Sequence, residues 1–249
     1  METDIRIMES VDSTNTEIKK LADKGAPEGT CVMAFEQRRG EGRSGRTFYS
    51  PECGNLYMSL LLRCKAGRTF DMITPAAAVA TVEGIKDHFG IQTGIKWVND
   101  IILGGRKVCG IIAKAENFGE PDSYVILGTG INIYDPEVIP DDIKDIYGSL
   151  FGRKCDLTKD EWMAEAEGLG RAVLNRFIHY YGSDDHKEMI DRYRKYCMFI
   201  GKKVRYISGG NEKEAVAVGI DDNASVMLRC DGIVRSYSDG EIRITVEDM

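Results

Sequence analysis

Residues 124–134, YVILGTGINIY, constrain the fold more than any other stretch of the chain. The run is apolar and rich in β-branched and aromatic side chains, which suit a pleated strand. Gly128 and Gly130 interrupt it. A glycine-x-glycine opening a helix after a strand would point to dinucleotide binding, but this one opens no helix, so that fingerprint is not met. Glycines inside a strand let another group lie close to the backbone, and two of them make room for a ring system. Residues 55–62, NLYMSLLL, read as a second strand of core type. Such strands need helical layers to cover them.

The helices are legible from caps and periodicity. Thr14 with Glu17 has the form of a capping box, Ile18, Leu21 and Ala22 supply an apolar stripe, and Gly25 can end the helix. Ser13, Thr14 and Asn15 also offer hydroxyl and amide groups suited to a polar head group. Thr74-Pro75 reads as the start of an alanine-rich helix that Gly90 stops. Thr158 and Glu161 form a second capping box, followed by Trp162, Ala166, Leu169, Val173, Phe177 and Tyr180 at helical spacing. A shorter helix covers residues 184–196. Beyond it the pattern changes to five short strands separated by turn residues. The expectation is an α+β fold, with domains at 1–196 and 197–249.

Two stretches carry chemistry. In residues 36–46, EQRRGEGRSGR, Gly40, Gly42 and Gly45 alternate with four arginines. Glycine-rich turns aim backbone N–H groups at anions, and arginine adds a planar fork for phosphate or carboxylate. This segment carries +2 in a chain whose net charge is −7, which suggests a local anionic ligand rather than a polyanion surface. Residues 95–116 read as strands meeting at a Gly104-Gly105 hairpin turn, which places Lys96, Asn99, Asp100 and Lys107 at strand ends and a turn. Gly110 lies inside the second strand.

An acidic pI near 5.2 argues against general nucleic-acid or anionic-membrane binding. No apolar run approaches a membrane span, and the amino terminus lacks the apolar core of a signal peptide. The seven cysteines are scattered without CxxC spacing, and with three histidines they complete no zinc set. Reduced cysteines and a cytoplasmic location are expected.

Taken in order, STN before a helix, glutamine leading into GxGRxGR, KWxND, a lysine seven residues after that aspartate, and GxGIN resemble the biotin protein ligases. The motifs span residues 13–132, and the C-terminal strands are similar to that family's SH3-like β-barrel. The resemblance implies a mixed sheet with packed helices, like the catalytic domain shared by biotin ligases and class II aminoacyl-tRNA synthetases. It implies activation of biotin by ATP with Mg²⁺ and transfer to a biotin carboxyl carrier domain. Catalytic roles would fall to Lys107, Arg43 and Asp100. Biotin would be held by Ser13, Thr14, Asn15, Gln37, Glu41, Gly42, Arg43, Lys107 and Gly110, and ATP by Arg43, Arg46, Lys96 and Asn132. Glu41 stands where the family has an arginine, Arg38 and Arg39 stand at positions usually small or neutral, and Val98 replaces a proline.

A lipoate or octanoyl ligase on a related scaffold is the nearest alternative, but a lipoyl chain gives the polar STN/Gln37 end less to bind. Twelve residues before Ser13 are too few for a helix-turn-helix, so DNA binding is not expected. An RNA-binding module is disfavoured by the acidic pI. A homodimer formed through strands such as 113–116 fits the resemblance.

Overall fold

The computed structural model describes residues 1–42, 45, 47–51, 55–63, 70–117, 120, 122–153, 157–238 and 242–246. Seven strands form one sheet: β1 (Asp4–Val11), β2 (Thr30–Gln37), β3 (Leu56–Arg63), β4 (Gly94–Lys96), β5 (Asp100–Leu103), β6 (Arg106–Glu116) and β7 (Tyr124–Ile131). Their order is β1-β2-β3-β7-β6-β5-β4. Only β1 and β2 run parallel, connected through α1 (Thr14–Asp23), and every other pair is antiparallel. The two most apolar runs, β3 and β7, are neighbours at the centre, and all but one of their residues are buried.

Each face of the sheet has its own cover. Ile18 and Ala22 of α1 pack with Val32, Leu61 and Ile126 on one side. On the other, α2 (Ile73–Phe89) and α3 (Lys159–Gly182) cover Met33, Leu60 and Leu127. Gly84 sets how closely α2 and α3 cross, because a Cβ there would lie 2.8 Å from Val173 Cα. The buried Glu83 carboxylate accepts hydrogen bonds from Tyr180 (2.7 Å) and Tyr196 (3.0 Å), tying α2 to α3 and to α4 (Lys187–Tyr196). Arg176 and Arg192 stand 3.4 and 3.7 Å from it, as a buried charge requires.

The five strands expected near the C-terminus are present: β8 (Lys203–Ser208), β9 (Asn211–Ile220), β10 (Val226–Cys230), β11 (Ile233–Tyr237) and β12 (Arg243–Val246). They form an antiparallel sheet in the order β11-β10-β9-β8-β12. Val204, Tyr206, Val226 and Leu228 join the same hydrophobic cluster as Ile95, Trp97 and Ile101. The core therefore runs from one sheet to the other without a break.

Two helix starts differ from expectation. The N-cap of α1 is Ser13, with no side-chain cap, and no Thr14/Glu17 capping box forms. Glu17 instead pairs with Lys20, and the Thr14 hydroxyl turns toward Gln37. The second helix begins at Ile73 behind a short 3-10 turn, so Thr74 lies inside it, although Gly90 ends it in the left-handed conformation (φ 72°). The Thr158/Glu161 capping box and the Gly104-Gly105 turn (φ 57° and 79°) form as read.

Cys31, Cys109 and Cys197 are buried free thiols. Burial pushes the Cys31 thiol up to about 12 and raises the other two as well, leaving almost no thiolate near neutral pH. A thiol alkylating reagent at pH 8 should therefore label the half-buried Cys230 well before these three. Peptide mapping by mass spectrometry checks this, and equal labelling of Cys31 would contradict the packing.

Candidate functional site

One cavity of about 870 Å³ opens where α1, the glycine/arginine loop, the β4–β5 turn and the floor of β6 and β7 converge. At its polar end Gln37 Oε1 accepts from the Thr14 N–H (2.8 Å) and the Thr14 hydroxyl (3.0 Å). Gln37 Nε2 donates to Ser50 Oγ at 3.2 Å. Ser59 Oγ lies 2.7 Å from both Thr14 Oγ1 and Asn15 Oδ1. A hydroxyl has one proton, so it satisfies one of these acceptors at a time. Thr14, Asn15 and Gln37 all line the cavity. Ser13 does not. It is buried beside them, and its Oγ has no hydrogen-bond partner among the described residues.

The floor explains the glycines. A Cβ at Gly128 would lie 2.6 Å from Asn15 Oδ1. One at Gly130 or Gly110 would come within 2.7 or 2.9 Å of the Phe48 ring. The ring admitted by the bare strands is thus in part the protein's own. Phe48 lies on the sheet there, and the Lys107 ammonium stands 5.8 Å from its centroid.

The glycine/arginine loop is pinched at its base. Glu41 bridges Thr47, and the Phe48 N–H donates to Gly40 O at 2.9 Å. A Cβ at Gly40 would meet Phe48 O and Ser50 Oγ at 2.4 Å, so only glycine fits without a shift. Glu41 accepts from Thr16 Oγ1 (3.2 Å) and lies 3.9 Å from Lys114. Its carboxylate is therefore engaged by α1 and β6, while Glu41 and Gly42 both line the cavity. Arg43 and Arg46 lie outside the described residues.

The charged centre sits across from the loop. The turn after β5 returns the chain along β6, and Lys107 Nζ meets Asp100 Oδ1 at 2.6 Å. Lys96 pairs in register with Asp100 across β4 and β5 and also faces the cavity. Beyond them Asn132 donates from Nδ2 to Gly148 O (2.9 Å), while its buried Oδ1 finds no partner among the described residues. Asn132 lines the cavity, and a buried acceptor without a partner has a hydrogen bond to gain from a ligand N–H that reaches it. Among the described residues, every expected site residue except Ser13 thus lines one cavity.

Sequence reasoning missed several walls. Phe48 stands in an aperiodic stretch, and only its neighbouring glycine motif hinted at it. Trp97, Val98, Ile143, Ile146 and Tyr147 contribute, as do Ile244 of β12 and Ile242 just before it. The last two gave only the alternation of any half-buried strand.

Comparison with known proteins places this geometry. The Bifunctional ligase/repressor BirA of Bacillus subtilis is 33% identical over 237 residues, spanning 91% of this chain and 70% of that protein. The biotin–acetyl-CoA-carboxylase ligase of Mycobacterium tuberculosis is 25% identical over 238 residues, covering 92% and 85% respectively. Among solved structures, the biotin protein ligase from Aquifex aeolicus in complex with biotin and ATP superposes with a TM-score of 0.79. It is 23% identical and covers 98% of this chain and 99% of that one, which establishes the fold. The fold and the likeness together define an enzyme of the protein-ligase class. The family model for the biotin/lipoate A/B protein ligases matches residues 7–132, and the chain belongs to that family.

Proposed function

We propose that this enzyme is an ATP-dependent biotin–protein ligase. It joins biotin and ATP as biotinyl-5'-AMP, then passes the biotinyl group to a lysine of a biotin carboxyl carrier domain. The observation that carries this reading is the position of Lys107. It stands on a glycine floor between a polar pocket end built by Thr14, Asn15 and Gln37 and the unpartnered acceptor of Asn132. A ureido head group suits the first end and a base bearing an N–H suits the second. The reacting carboxylate and α-phosphate then meet between them.

Both reactants are anions, so the barrier to their union is largely electrostatic. Lys107 supplies fixed positive charge where negative charge builds up on the α-phosphate. Asp100 holds its ammonium in place at 2.6 Å. Lys96, with Arg43 and Arg46 of the loop, adds charge for the departing pyrophosphate. Attack of the biotin carboxylate oxygen on the α-phosphorus forms the mixed anhydride as the bond to pyrophosphate breaks. Attack of the carrier lysine amine on the acyl carbon then releases AMP. Gly42 and its neighbours exclude water from the anhydride between these steps. Among the described residues no three His, Cys, Asp or Glu side chains cluster to hold a metal ion. Mg²⁺ would therefore be held mainly by the triphosphate and water, where it neutralises phosphate charge.

The hydroxyl and amide groups of the polar end favour biotin over lipoate, whose ring lacks ureido N–H groups. No helix of the described residues is long and apolar enough to cross a membrane, and a cytoplasmic site of action is proposed. A homodimer is also proposed. Strand β5 pairs with β6 only over residues 106–110, which leaves the outer edge of residues 113–116 without a ladder partner among the described residues. The deciding experiment is isotope exchange between pyrophosphate and ATP. Exchange should require biotin and be unsupported by lipoate. Exchange driven by lipoate, or none with either acid, overturns the reading.

A further inference from the structure

The turn between β4 and β5 bears Lys96 at one end and Asp100 at the other, and the whole of residues 96–100 lines the cavity. Its own strands are short: β4 has three residues and β5 four. Such a hairpin has little stiffness of its own, so its placement depends on what grips it.

Three separate elements do. From β6, Ile111 donates its N–H to Asn99 O (3.0 Å) and accepts from Asn99 Nδ2 (2.6 Å). From α4, the hydroxyl of Tyr193 donates to Val98 O at 3.0 Å. From the C-terminal sheet, Ala224 O accepts from Trp97 Nε1 at 3.0 Å, 127 positions away in the chain. Both ends of this last bond are buried, at 8% and 5% exposure, so neither group can turn to water instead.

The acceptor is itself held rigidly. Ala224 has φ +59°, a conformation uncommon for a residue with a Cβ. Asp221 fixes it by accepting from the N–H groups of Asn223 and Ser225, both at 2.9 Å, while the Ala224 N–H donates to Asp221 O. Next to Tyr193, Arg194 reaches the same turn, donating to Ile220 O (2.8 Å) and pairing with Asp222 (2.6 Å). Two consecutive residues of α4 thus grip the site turn and the turn that buttresses it. Ile242 and Ile244 extend the contact as cavity walls.

We propose that the C-terminal sheet sets the nucleotide side of the active site, with Trp97 as the positioning residue that locks the Lys96–Asp100 turn to Ala224. This rests on the ligase reading above and says which half-site the second sheet serves. The polar pocket end belongs to α1, β2 and β3, whereas the clamp is built from β6, α4 and the turn between β9 and β10. Losing the lock should therefore affect ATP and leave biotin alone.

The test is Trp97→Phe, which keeps an aromatic ring in the core but removes the indole N–H together with part of the ring volume, so Tm reports the packing loss separately. Biotin affinity by calorimetry, the biotin-dependent pyrophosphate–ATP exchange rate against ATP concentration, and Tm are measured together. The expected result is biotin Kd within twofold of wild type and kcat/KM for ATP lower by about tenfold, equivalent to about 1.4 kcal/mol. Arg194→Ala, which loosens the buttress from outside the cavity, should lower the same ratio by a few fold. In the double variant the two losses should fall short of adding, since both act through one contact. A lower Tm with unchanged exchange kinetics would reduce the bond to a structural role and overturn the proposal. So would an equal loss of biotin affinity, or strict additivity of the two variants. Should Trp97→Phe fail to fold, normal ATP kinetics in Arg194→Ala would overturn it. Wild-type protein with no biotin-dependent exchange would defeat the ligase reading, and this proposal with it.

Discussion

Lys107→Ala should slow adenylate formation by about 10²–10³, the scale of losing one preorganised donor to a transition state. The effect has two parts. The ammonium no longer meets charge building on the α-phosphate, and Asp100, which it holds at 2.6 Å, is left as an unpaired carboxylate facing two anions. Asp100→Asn removes that carboxylate's charge while keeping Lys107, so it should cost less. Stability should scarcely change, because the pair is about one-quarter to one-third exposed and such pairs contribute little to folding. The rate must be read at saturating biotin, since the same ammonium lies where the biotin carboxylate arrives. Added biotinyl-adenylate should partly restore transfer to a carrier domain, because it enters after the step that was lost. Adenylation by Lys107→Ala at the wild-type rate would leave Lys107 a rim lysine and nothing more.

The second large effect is expected from a single methyl group. In Gly128→Ala the new Cβ would stand 2.6 Å from Asn15 Oδ1 and 2.9 Å from Ile112 Cγ2. Asn15 cannot simply move aside, since it is buried and its Oδ1 is 2.7 Å from Ser59 Oγ. Its amide must leave the polar end of the cavity or the strand must bulge. Loss of one or two ligand hydrogen bonds should weaken biotin binding by roughly 10–100-fold. Overpacking should also cost about 1–3 kcal/mol of stability, visible as a lower Tm. Gly182→Ala is the control, because a Cβ there meets nothing within 4 Å. Calorimetry showing wild-type biotin affinity for Gly128→Ala would mean that Asn15 does not hold the ligand.

These two residues also show what the sequence could and could not reveal. Gly128 was legible because a glycine inside an apolar strand has few explanations other than close approach. Lys107 became legible only through its spacing from Asp100, which a register shift between Ile101 and Ile102 turns into a direct contact. Of the two readings of Thr14, the capping box fails for a physical reason. A hydroxyl three residues before a glutamate satisfies the local capping pattern, but Gln37, 23 positions later, offered its hydroxyl a partner no local pattern contains. The adjacency of the two central strands in the sheet carried no sequence signal, whereas their burial followed from their apolarity. The packing of the second sheet against the site did not, because the Trp97–Ala224 bond joins segments whose sequences carry no mark of each other.

The cavity draws Thr14 from one end of the chain and Ile244 from the other. During synthesis, roughly 230 residues separate the emergence of these two walls, or roughly 10–50 s at ordinary translation rates. A growing chain can therefore complete its polar pocket long before it can complete its nucleotide side. On the ligase reading, the anhydride can form only once the wall bearing Ile244 has emerged from the ribosome, so chemistry waits on translation of the second sheet. Proteolytic loss of a short C-terminal stretch would return the molecule to that earlier condition, able to hold its small acid but unable to activate it.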